Sequence, residues 1–284
     1  GTGQVASALA ADPSVVRVGR PDFDFDRPET ISAVVKRVAP TLIVNTAAYT
    51  AVDAAETDAD AAYRANRDGP AELARLCALA GIPLIHISTD YVFDGNKGEP
   101  YLETDPTGPT GVYGASKLAG EQAVLASGAR ATILRTSWVY GPTGKNFVRT
   151  MLAVGKMRDR LTVVADQHGC PTSAADLAAA ILAVAAQIAA GWRAEFHGVF
   201  HAAGTGETTW HGLACQVFWE AEQRGMAIPR VDPIATADWP TPARRPADSR
   251  LDCGKLASVF GVRLPDWDNG LHRTVAAIFA AEAA

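Results

Sequence analysis

Tyr113 and Lys117 are the residues whose types and spacing best suit chemistry, in the run Tyr113-Gly-Ala-Ser-Lys117. Four residues apart on a helix, two side chains lie on the same face. The spacing predicts that the Lys117 ammonium stabilises the Tyr113 phenolate and lowers the tyrosine pKa from its ordinary value of about 10. A tyrosine tuned in this way can pass a proton to a carbonyl oxygen while a hydride arrives at the carbon.

Thr89 supplies a hydroxyl on a second element, at the end of an apolar run that finishes in Ser88-Thr89-Asp90-Tyr91. We predict that this hydroxyl holds the carbonyl oxygen in place. A Tyr-x-x-x-Lys pair alone occurs by chance in many proteins, and a threonine at a strand end is commonly a cap or turn residue. Together, in a chain that opens with a glycine loop, these residues favour a carbonyl-reducing site.

The elements that must position these residues alternate in the first half of the chain. Four short apolar runs predict buried strands at 15–18, 42–45, 84–88 and 131–135, and helical patterns lie between them at 28–39, 58–80 and 113–127. This alternation predicts an α/β fold with a Rossmann-like doubly wound parallel sheet. Ligands of such sheets bind at the carboxyl ends of the strands, where residues 45, 88–90 and 135–138 fall.

The second half of the sequence alternates less regularly. It predicts helices at 147–157 and 173–190, a strand at 161–165 and a proline-rich ordered loop at 239–246. We therefore predict a dinucleotide-binding domain over 1–140 and a smaller α/β substrate-binding lobe over 141–284. Segments near 160–190 are expected to return to the first domain.

The glycine loop and the residues near position 20 predict the cofactor. Gly1-Thr2-Gly3-Gln4-Val5-Ala6 fits the G-x-G-x-x-A turn that cradles phosphate between a strand and a helix, and a further strand is expected before it. Arg20 suits a 2′-phosphate by bidentate pairing, with an ordinary exposed arginine as the alternative. Asp22 or Asp24 can instead serve a ribose hydroxyl. These residues favour NADPH, with NADH tolerated.

Composition excludes several classes of function. A net charge of -5 argues against a nucleic-acid or anionic-membrane partner. The sequence contains neither an apolar run of the roughly 18 residues that a membrane span needs nor a signal-peptide pattern. The four scattered cysteines predict free thiols in a reducing cytoplasm. No metal site is predicted, because nothing completes a ligand set around His197 and His201.

Longer runs of sequence carry a family resemblance. Residues 45–53, 88–93, 112–121 and 135–140 match motifs that sugar-nucleotide dehydrogenases share widely. Residues 166–172, 204–210, 240–250 (Pro-Thr-Pro-Ala-Arg-Arg-Pro-Ala-Asp-Ser-Arg) and 264–267 (Leu-Pro-Asp-Trp) extend the match, and the last two are far more specific. On these runs the chain resembles the extended short-chain dehydrogenases and, among them, the dTDP-4-dehydrorhamnose reductase family. Ala6 stands where that family usually has its third glycine.

The resemblance implies a reaction and a set of contacts. It implies NADPH-dependent reduction of the C4 ketone of dTDP-4-dehydro-6-deoxy-L-mannose to dTDP-L-rhamnose, the last step of dTDP-rhamnose synthesis. Tyr113 would donate the proton, Lys117 would bond the nicotinamide ribose and Thr89 would bond the keto oxygen. The expected cofactor-binding residues are Gly1, Gly3, Gln4, Val5, Arg20, Asp24, Phe25, Ala47, Ala48, Tyr113 and Lys117.

The expected substrate contacts have structural alternatives. Trp138 can pack on the sugar or base or belong to the core, and Asn146 can bond the sugar nucleotide or cap a helix. Arg244, Arg245 and Arg250 suit a pyrophosphate, with Arg244 and Arg250 preferred. Asp53, Glu56 and Asp58 are interpreted as acids that cap and solvate a helix start. The expected substrate-binding residues are Thr89, Asp90, Tyr91, Trp138, Asn146, Arg244 and Arg250.

Two other functions fit the same motifs. A sugar-nucleotide epimerase or dehydratase shares the fold and the Tyr–Lys pair, but an epimerase returns its cofactor oxidised, so net NADPH consumption distinguishes it. A non-catalytic NADP-binding subunit, similar to the regulatory subunit of methionine adenosyltransferase, is the second alternative, and intact Thr89, Tyr113 and Lys117 argue against it. The sequence leaves a homodimer open.

Overall fold

The computed structural model describes residues 2–283, so Gly1, one of the expected cofactor contacts, lies outside the described residues. The strands are β1 Ile43–Asn45, β2 Leu84–Thr89, β3 Ala131–Thr136, β4 Val139–Tyr140, β5 Arg160–Val164, β6 His168–Gly169, β7 Thr172–Ser173, β8 Gly198–His201, β9 Thr208–Thr209 and β10 Arg230–Ile234. The α-helices are α1 Gln4–Leu9, α2 Pro28–Val38, α3 Val52–Ala55, α4 Ala59–Tyr63, α5 Gly69–Ala80, α6 Val112–Ala126, α7 Phe147–Gly155, α8 Ala174–Ala190, α9 Trp210–Glu222, α10 Gly254–Phe260 and α11 Trp267–Ala283.

A parallel four-stranded sheet in the order β1–β2–β3–β8 confirms the predicted fold class. Its central strands are buried, as expected of a sheet covered by helices on both faces. One face packs against α8 and α10, and the other packs against α2, α5 and α6. In the β2–β3 register Ser88 lies opposite Arg135 and Thr89 opposite Thr136, so their polar side chains meet at the carboxyl edge of the sheet.

The prediction of a strand at residues 15–18 is wrong. The structure assigns no strand there, and the sheet does not extend to these residues. An apolar run becomes a strand only where a neighbour supplies the other side of a hydrogen-bonded ladder. Residues 15–18 instead line a groove of about 610 Å³ that they share with Leu42 and Val44, and Val15 packs against the core beneath α8.

The helix predicted at 58–80 is divided into three parts. α4 passes into a π-helical turn at Arg64–Asp68, and α5 then begins at Gly69-Pro70. The wider turn directs the Asn66 side chain to the backbone of Tyr49, where it accepts at 2.8 Å and donates at 3.1 Å, and to the Ser116 hydroxyl at 3.0 Å. Asn66 thereby fixes the loop after β1 to α6. Helical periodicity in the sequence cannot reveal such a contact between separate elements.

The second half builds a lobe around its own core. β5 and β10 pair in parallel, and α7, α9 and α11 enclose a cluster that includes Tyr140, Leu152, Leu213 and Leu271. The predicted strand at 161–165 and helices at 147–157 and 173–190 are confirmed within two residues of each end. The domain boundary at 140 stays a prediction. Within residues 2–283 no helix combines the length and apolar character that crossing a membrane requires.

Candidate active site

The start of α6 is held by two contacts that orient Tyr113. The Glu56 carboxylate accepts a hydrogen bond from the Val112 backbone N–H at 2.9 Å, so Glu56 serves this helix rather than the start of its own. Gly114 lets the helix approach the turn after β2, because a Cβ on this residue would lie 2.1 Å from the Tyr91 carbonyl oxygen. The Tyr91 and Tyr113 rings consequently meet edge to face, with centroids 5.5 Å apart.

Replacing Gly114 with alanine is expected to displace Tyr113. The added methyl cannot be accommodated without a shift of the Tyr91 backbone or of α6, since real Cβ atoms do not approach a carbonyl oxygen at 2.1 Å. Overpacking of this kind costs about 1–3 kcal/mol of folding free energy. We expect a lower melting temperature and a larger loss of kcat than of NADPH affinity. The matched control is Gly108→Ala, whose new Cβ would come no closer than 3.4 Å to Asp94; an equal loss of kcat there would contradict this account.

Thr89 links Tyr113 to the end of β2. Its hydroxyl donates a hydrogen bond to Asp90 Oδ1 at 2.9 Å and lies close enough to the Tyr113 hydroxyl to lower the pKa of Tyr113 in part. It also accepts from the Tyr91 backbone N–H at 3.2 Å. The structure therefore brings together Thr89 and Tyr113, which the sequence placed on separate elements 24 residues apart.

Lys117 lies one helical turn beyond Tyr113 and is fully buried. Its ammonium donates to the Ile87 carbonyl of β2 at 2.6 Å. Burial lowers the pKa of Lys117 to about 8, although the Glu121 carboxylate one turn further along acts to raise it. Lys117 thus remains mostly protonated at neutral pH.

The expectation that Lys117 lowers the Tyr113 pKa is wrong for this arrangement. Burial raises the pKa of Tyr113, the Thr89 hydrogen bond lowers it in part, and Asp90 and Tyr91 add to the rise. Lys117 does not contribute, because its ammonium is directed to the Ile87 carbonyl. The four-residue spacing predicted that Tyr113 and Lys117 share a face of the helix. It could not predict which group binds the Lys117 ammonium.

A cleft of about 640 Å³ lies between Tyr91, the start of α3 and the second lobe. Tyr91 lies at the border, because its ring contacts Tyr113 and also lines the cleft. Apolar residues of α7 and β5 form one wall, and aromatic residues lie opposite. Besides Tyr91, the lining includes Val52, Asp53, Phe147, Met151, Val154, Leu161, Val163, Gln167, Trp210, Trp239 and Arg245.

Arg245 and Asp53 are two of the charged residues that line this cleft, with Arg158 a third, and the sequence analysis preferred none of them as a substrate contact. The Arg245 guanidinium donates to Asp53 Oδ2 at 2.7 Å, and the Ala243 backbone N–H donates to Oδ1 at 3.2 Å. Arg245 also reaches the Tyr91 hydroxyl at 3.5 Å. Asp53 therefore fastens the proline-rich loop across the cleft, and its assignment as a helix-capping acid is wrong.

Of the two preferred arginines, neither lines the main cleft. Arg244 is exposed and borders a neighbouring cavity of about 460 Å³ beneath the proline-rich loop. Arg250 donates to Asp248 and Glu207, each at 2.7 Å, and to the Gly98 carbonyl at 2.8 Å. The role of Arg250 as a pyrophosphate ligand stays a prediction, and its guanidinium already has these internal partners.

Asn146 adopts the capping alternative. Its side-chain oxygen accepts from the Arg149 backbone N–H at 3.1 Å, which caps α7, and its amide donates to Gln4 Oε1 and the Gly141 carbonyl, both at 2.9 Å. With these partners taken, the interpretation as a sugar-nucleotide contact is corrected. Asn146 instead ties the glycine loop to the second lobe.

Trp138 stands behind the cleft rather than in its lining. Its ring stacks on Trp210 with centroids 3.6 Å apart and planes 7° apart, and Trp210 is the residue that faces the cleft. The Trp138 backbone has φ +47°, which is uncommon for a bulky residue and marks a locally constrained turn after β3. The sequence located the aromatic site but gave no signal for Trp210.

The expected cofactor residues occupy the carboxyl side of the sheet and the loops beyond it. Gly3 precedes α1, where a Cβ would meet no atom within 4 Å, and Gln4 and Val5 form the first turn. Outside the Tyr–Lys pair, Arg20, Asp24 and Phe25 follow the apolar run at 15–18, and Ala47 and Ala48 follow β1. The Arg20 guanidinium donates to Asp24 at 3.0 Å and to Asp26 at 2.8 Å. Phe25 packs on the core beside Gly69. The Ala47 backbone N–H donates to Asn45 Oδ1 at 3.0 Å, and Ala48 follows Ala47 in the chain.

The residues present fit a dinucleotide. Apart from its chain neighbours, no atom of residues 2–283 would lie within 4 Å of a Cβ on Gly3, so the start of α1 has room for a phosphate. The hydroxyls of Ser88 and Thr136, at the carboxyl ends of β2 and β3, are buried without a hydrogen-bond partner among residues 2–283. Buried polar groups of proteins are nearly always bonded, so these two suit polar atoms of a ligand in the crevice. No cluster of three metal-ligating side chains occurs in the same described range.

Comparison with known proteins agrees with this geometry. A family model described as the RmlD substrate binding domain matches residues 1–279. A dTDP-4-dehydrorhamnose reductase of Sinorhizobium fredii is 47% identical over 97% of this chain and 95% of its own length. A crystal structure of the same enzyme from Clostridium acetobutylicum matches with a TM-score of 0.90 and 34% identity over 98% of this chain and 96% of that one.

A second solved structure contains a nucleotide. The dTDP-4-dehydrorhamnose reductase of Bacillus anthracis, in complex with NADP, matches with a TM-score of 0.88 and 35% identity, over 97% of this chain and 96% of that one. The matches span both halves of the chain, including the proline-rich loop. This chain therefore belongs to the family of the RmlD substrate binding domain, among whose relatives are the dTDP-4-dehydrorhamnose reductases.

Proposed function

We propose that this chain is an NADPH-dependent dTDP-4-dehydrorhamnose reductase, which reduces the C4 ketone of dTDP-4-dehydro-6-deoxy-L-mannose to dTDP-L-rhamnose. The observation that carries the proposal is the meeting of the Thr89 and Tyr113 hydroxyls at the carboxyl end of β2, beside Tyr91, which lines a cleft large enough for a nucleotide sugar. Family membership supports the substrate and cofactor. A homodimer and a cytoplasmic location stay predictions.

Tyr113 and Thr89 act on the keto oxygen in this proposal. NADPH, when bound, supplies the hydride. As negative charge develops on the oxygen, the Thr89 hydroxyl donates a hydrogen bond and Tyr113 transfers its phenolic proton. Donors placed in advance where charge develops are worth several kcal/mol of barrier, since they need not reorganise during the reaction.

Lys117 and the glycine loop hold the cofactor. The Lys117 ammonium, fixed at the Ile87 carbonyl, would bond the nicotinamide ribose. The backbone at Gly3, Gln4 and Val5 would bind the pyrophosphate, and Arg20 would bind the 2′-phosphate. Since Asp24 and Asp26 already hold the Arg20 guanidinium, the phosphate would bind beside a preformed ion-pair cluster.

Arg245 is the cleft's candidate for the anionic part of the substrate. It is half-buried, and Asp53 orients it. We expect Arg245→Gln to raise the substrate KM by about tenfold or more with a smaller effect on kcat, because hydrogen bonds to charged groups are worth about 1.5–3 kcal/mol. Steady-state kinetics checks this, with the exposed Arg193→Gln as the matched control. A variant KM within about twofold of the parent would remove Arg245 from the substrate site.

The assay that tests the proposed function follows NADPH oxidation by absorbance. The keto sugar nucleotide is generated in situ by the enzymes that precede it in synthesis. We expect oxidation that depends on the keto sugar and stops when it is exhausted. An epimer formed without net NADPH loss would indicate an epimerase, and tight NADPH binding without turnover would indicate the regulatory-subunit alternative.

A further inference from the structure

Asp90 is a buried carboxyl group in direct contact with the Thr89–Tyr113 pair, and the proposed mechanism does not use it. Its Oδ1 accepts the Thr89 hydroxyl hydrogen at 2.9 Å. Its Oδ2 is buried and makes no hydrogen bond to any residue from 2 to 283. An ionised carboxylate with one oxygen unbonded is costly to bury, whereas a neutral carboxylic acid is far less so.

The Thr89 hydroxyl has one hydrogen and two lone pairs to share among its neighbours. The Tyr91 backbone N–H occupies one lone pair at 3.2 Å. When Asp90 is a carboxylate, it takes the hydroxyl hydrogen. In that state the hydrogen that Thr89 would donate to the keto oxygen is directed away from it.

Protonation of Asp90 reverses this arrangement. A neutral Asp90 can donate its own hydrogen to the second lone pair of Thr89. The Thr89 hydrogen is then free for the keto oxygen. No bond to carbon changes in this step, since the only difference is the proton on the Asp90 carboxyl group.

We propose that Asp90 is a positioning residue whose protonation state decides where Thr89 points its hydroxyl hydrogen. The inference rests on the proposed function. It gives the reductase a pH dependence with a definite sign, because the neutral form of Asp90 is the one that prepares the site.

Electrostatics acts in the same direction. Burial raises the pKa of Asp90 to about 6, while the hydroxyls of Ser249 and Thr89 and nearby backbone N–H groups lower it in part. The Asp90 charge in turn raises the pKa of Tyr113. Neutral Asp90 therefore makes Tyr113 a better proton donor and leaves no negative charge beside the developing alkoxide.

The groups that face Asp90 do not titrate in the same range. Burial raises the pKa of Tyr91 to about 12 and that of the Cys170 thiol to about 11, and it also raises that of Tyr113. The other neighbour is Ser249, whose backbone N–H donates to the His168 carbonyl at 2.8 Å. The His168 imidazole is exposed, so a histidine control is required.

The first test is the pH profile of kcat/KM for keto-sugar reduction by the full chain. We expect the parent to lose about tenfold as the pH rises through about 6, and Asp90→Asn to lose this limb of the profile. The His168→Gln variant should keep this limb of the pH profile. NADPH affinity and the circular dichroism spectrum of Asp90→Asn establish that the variant is folded. The same limb in Asp90→Asn would overturn the proposal.

The second test is independent of turnover. Infrared difference spectra recorded against pH report the protonated carboxyl band, which Asp90→Asn identifies by its loss. Because the Thr89 hydrogen bond lowers the Asp90 pKa, Thr89→Val is expected to move this titration to higher pH. An unchanged titration in Thr89→Val would overturn the coupling. Absence of keto-sugar reduction, by contrast, would refute only the proposed function.

Discussion

Tyr113→Phe is expected to lower kcat/KM by on the order of 10²–10⁴-fold, the range that a positioned proton donor contributes. The phenylalanine ring keeps the edge-to-face contact with Tyr91, so the fold and the cleft should remain. NADPH affinity should stay within about threefold of the parent, an energy difference of less than about 1 kcal/mol. Steady-state kinetics and fluorescence titration with NADPH measure the two quantities on one preparation.

The control for this prediction is a substitution of the other residue that contacts the keto oxygen of the substrate. Thr89→Val removes a hydrogen bond but leaves the Tyr113 proton in place, so its loss of kcat/KM should be smaller than that of Tyr113→Phe. Since the two hydroxyls are in direct contact, the double variant should lose less than the product of the single losses. Turnover of Tyr113→Phe near the parental rate would exclude this residue as the proton donor.

Glu121→Ala is expected to be the most destabilising of these substitutions. Glu121 accepts two hydrogen bonds from Arg135, at 2.9 and 2.7 Å, and both side chains are almost fully buried beneath the site. Removing one partner leaves the other charge buried and unpaired, which costs about 3–5 kcal/mol. The free energy of unfolding in urea measures the loss.

A double variant distinguishes the free energy of unfolding that the ion pair contributes from the cost of leaving one buried charge unpaired. Replacing both residues with apolar ones, as Glu121→Leu with Arg135→Met, should restore much of the stability, because no unpaired charge remains. The methionine also keeps apolar contact with Phe93, over which the Arg135 guanidinium lies at 5.0 Å. A single Glu121→Ala loss below about 1 kcal/mol would contradict this account of the ion pair.

The sequence predicted those parts of the fold that depend on local pattern. Residues 84–88 and 131–135 form strands because continuous apolar runs suit strands buried on both faces. Residues 15–18 show the same pattern, but the described sheet does not include them, and apolar character alone cannot supply a ladder. The position of Tyr113 on α6 followed from spacing, whereas the pKa of Tyr113 depends on burial that spacing does not reveal.

Site residues that depend on distant pairing could not be predicted. Arg245 and Asp53 are separated by 192 residues, so nothing local distinguished Arg245 from the neighbouring arginines. Arg250 has acidic partners at 248 and 207, and the first of these, two residues away, was the available signal for an ion pair. For Asn146 the capping alternative was visible in the sequence, and the Gln4 contact decides in its favour.

Isotope transfer tests the central claim most directly. NADPH carrying deuterium at the hydride-donating carbon is supplied with the keto sugar nucleotide, and the product is examined by NMR. The account predicts one deuterium at C4 of the product 6-deoxyhexose for each NADPH oxidised, with both the label and the product lost in Tyr113→Phe. A product without deuterium at C4, formed without NADPH consumption, would contradict the assignment as a C4 ketone reductase.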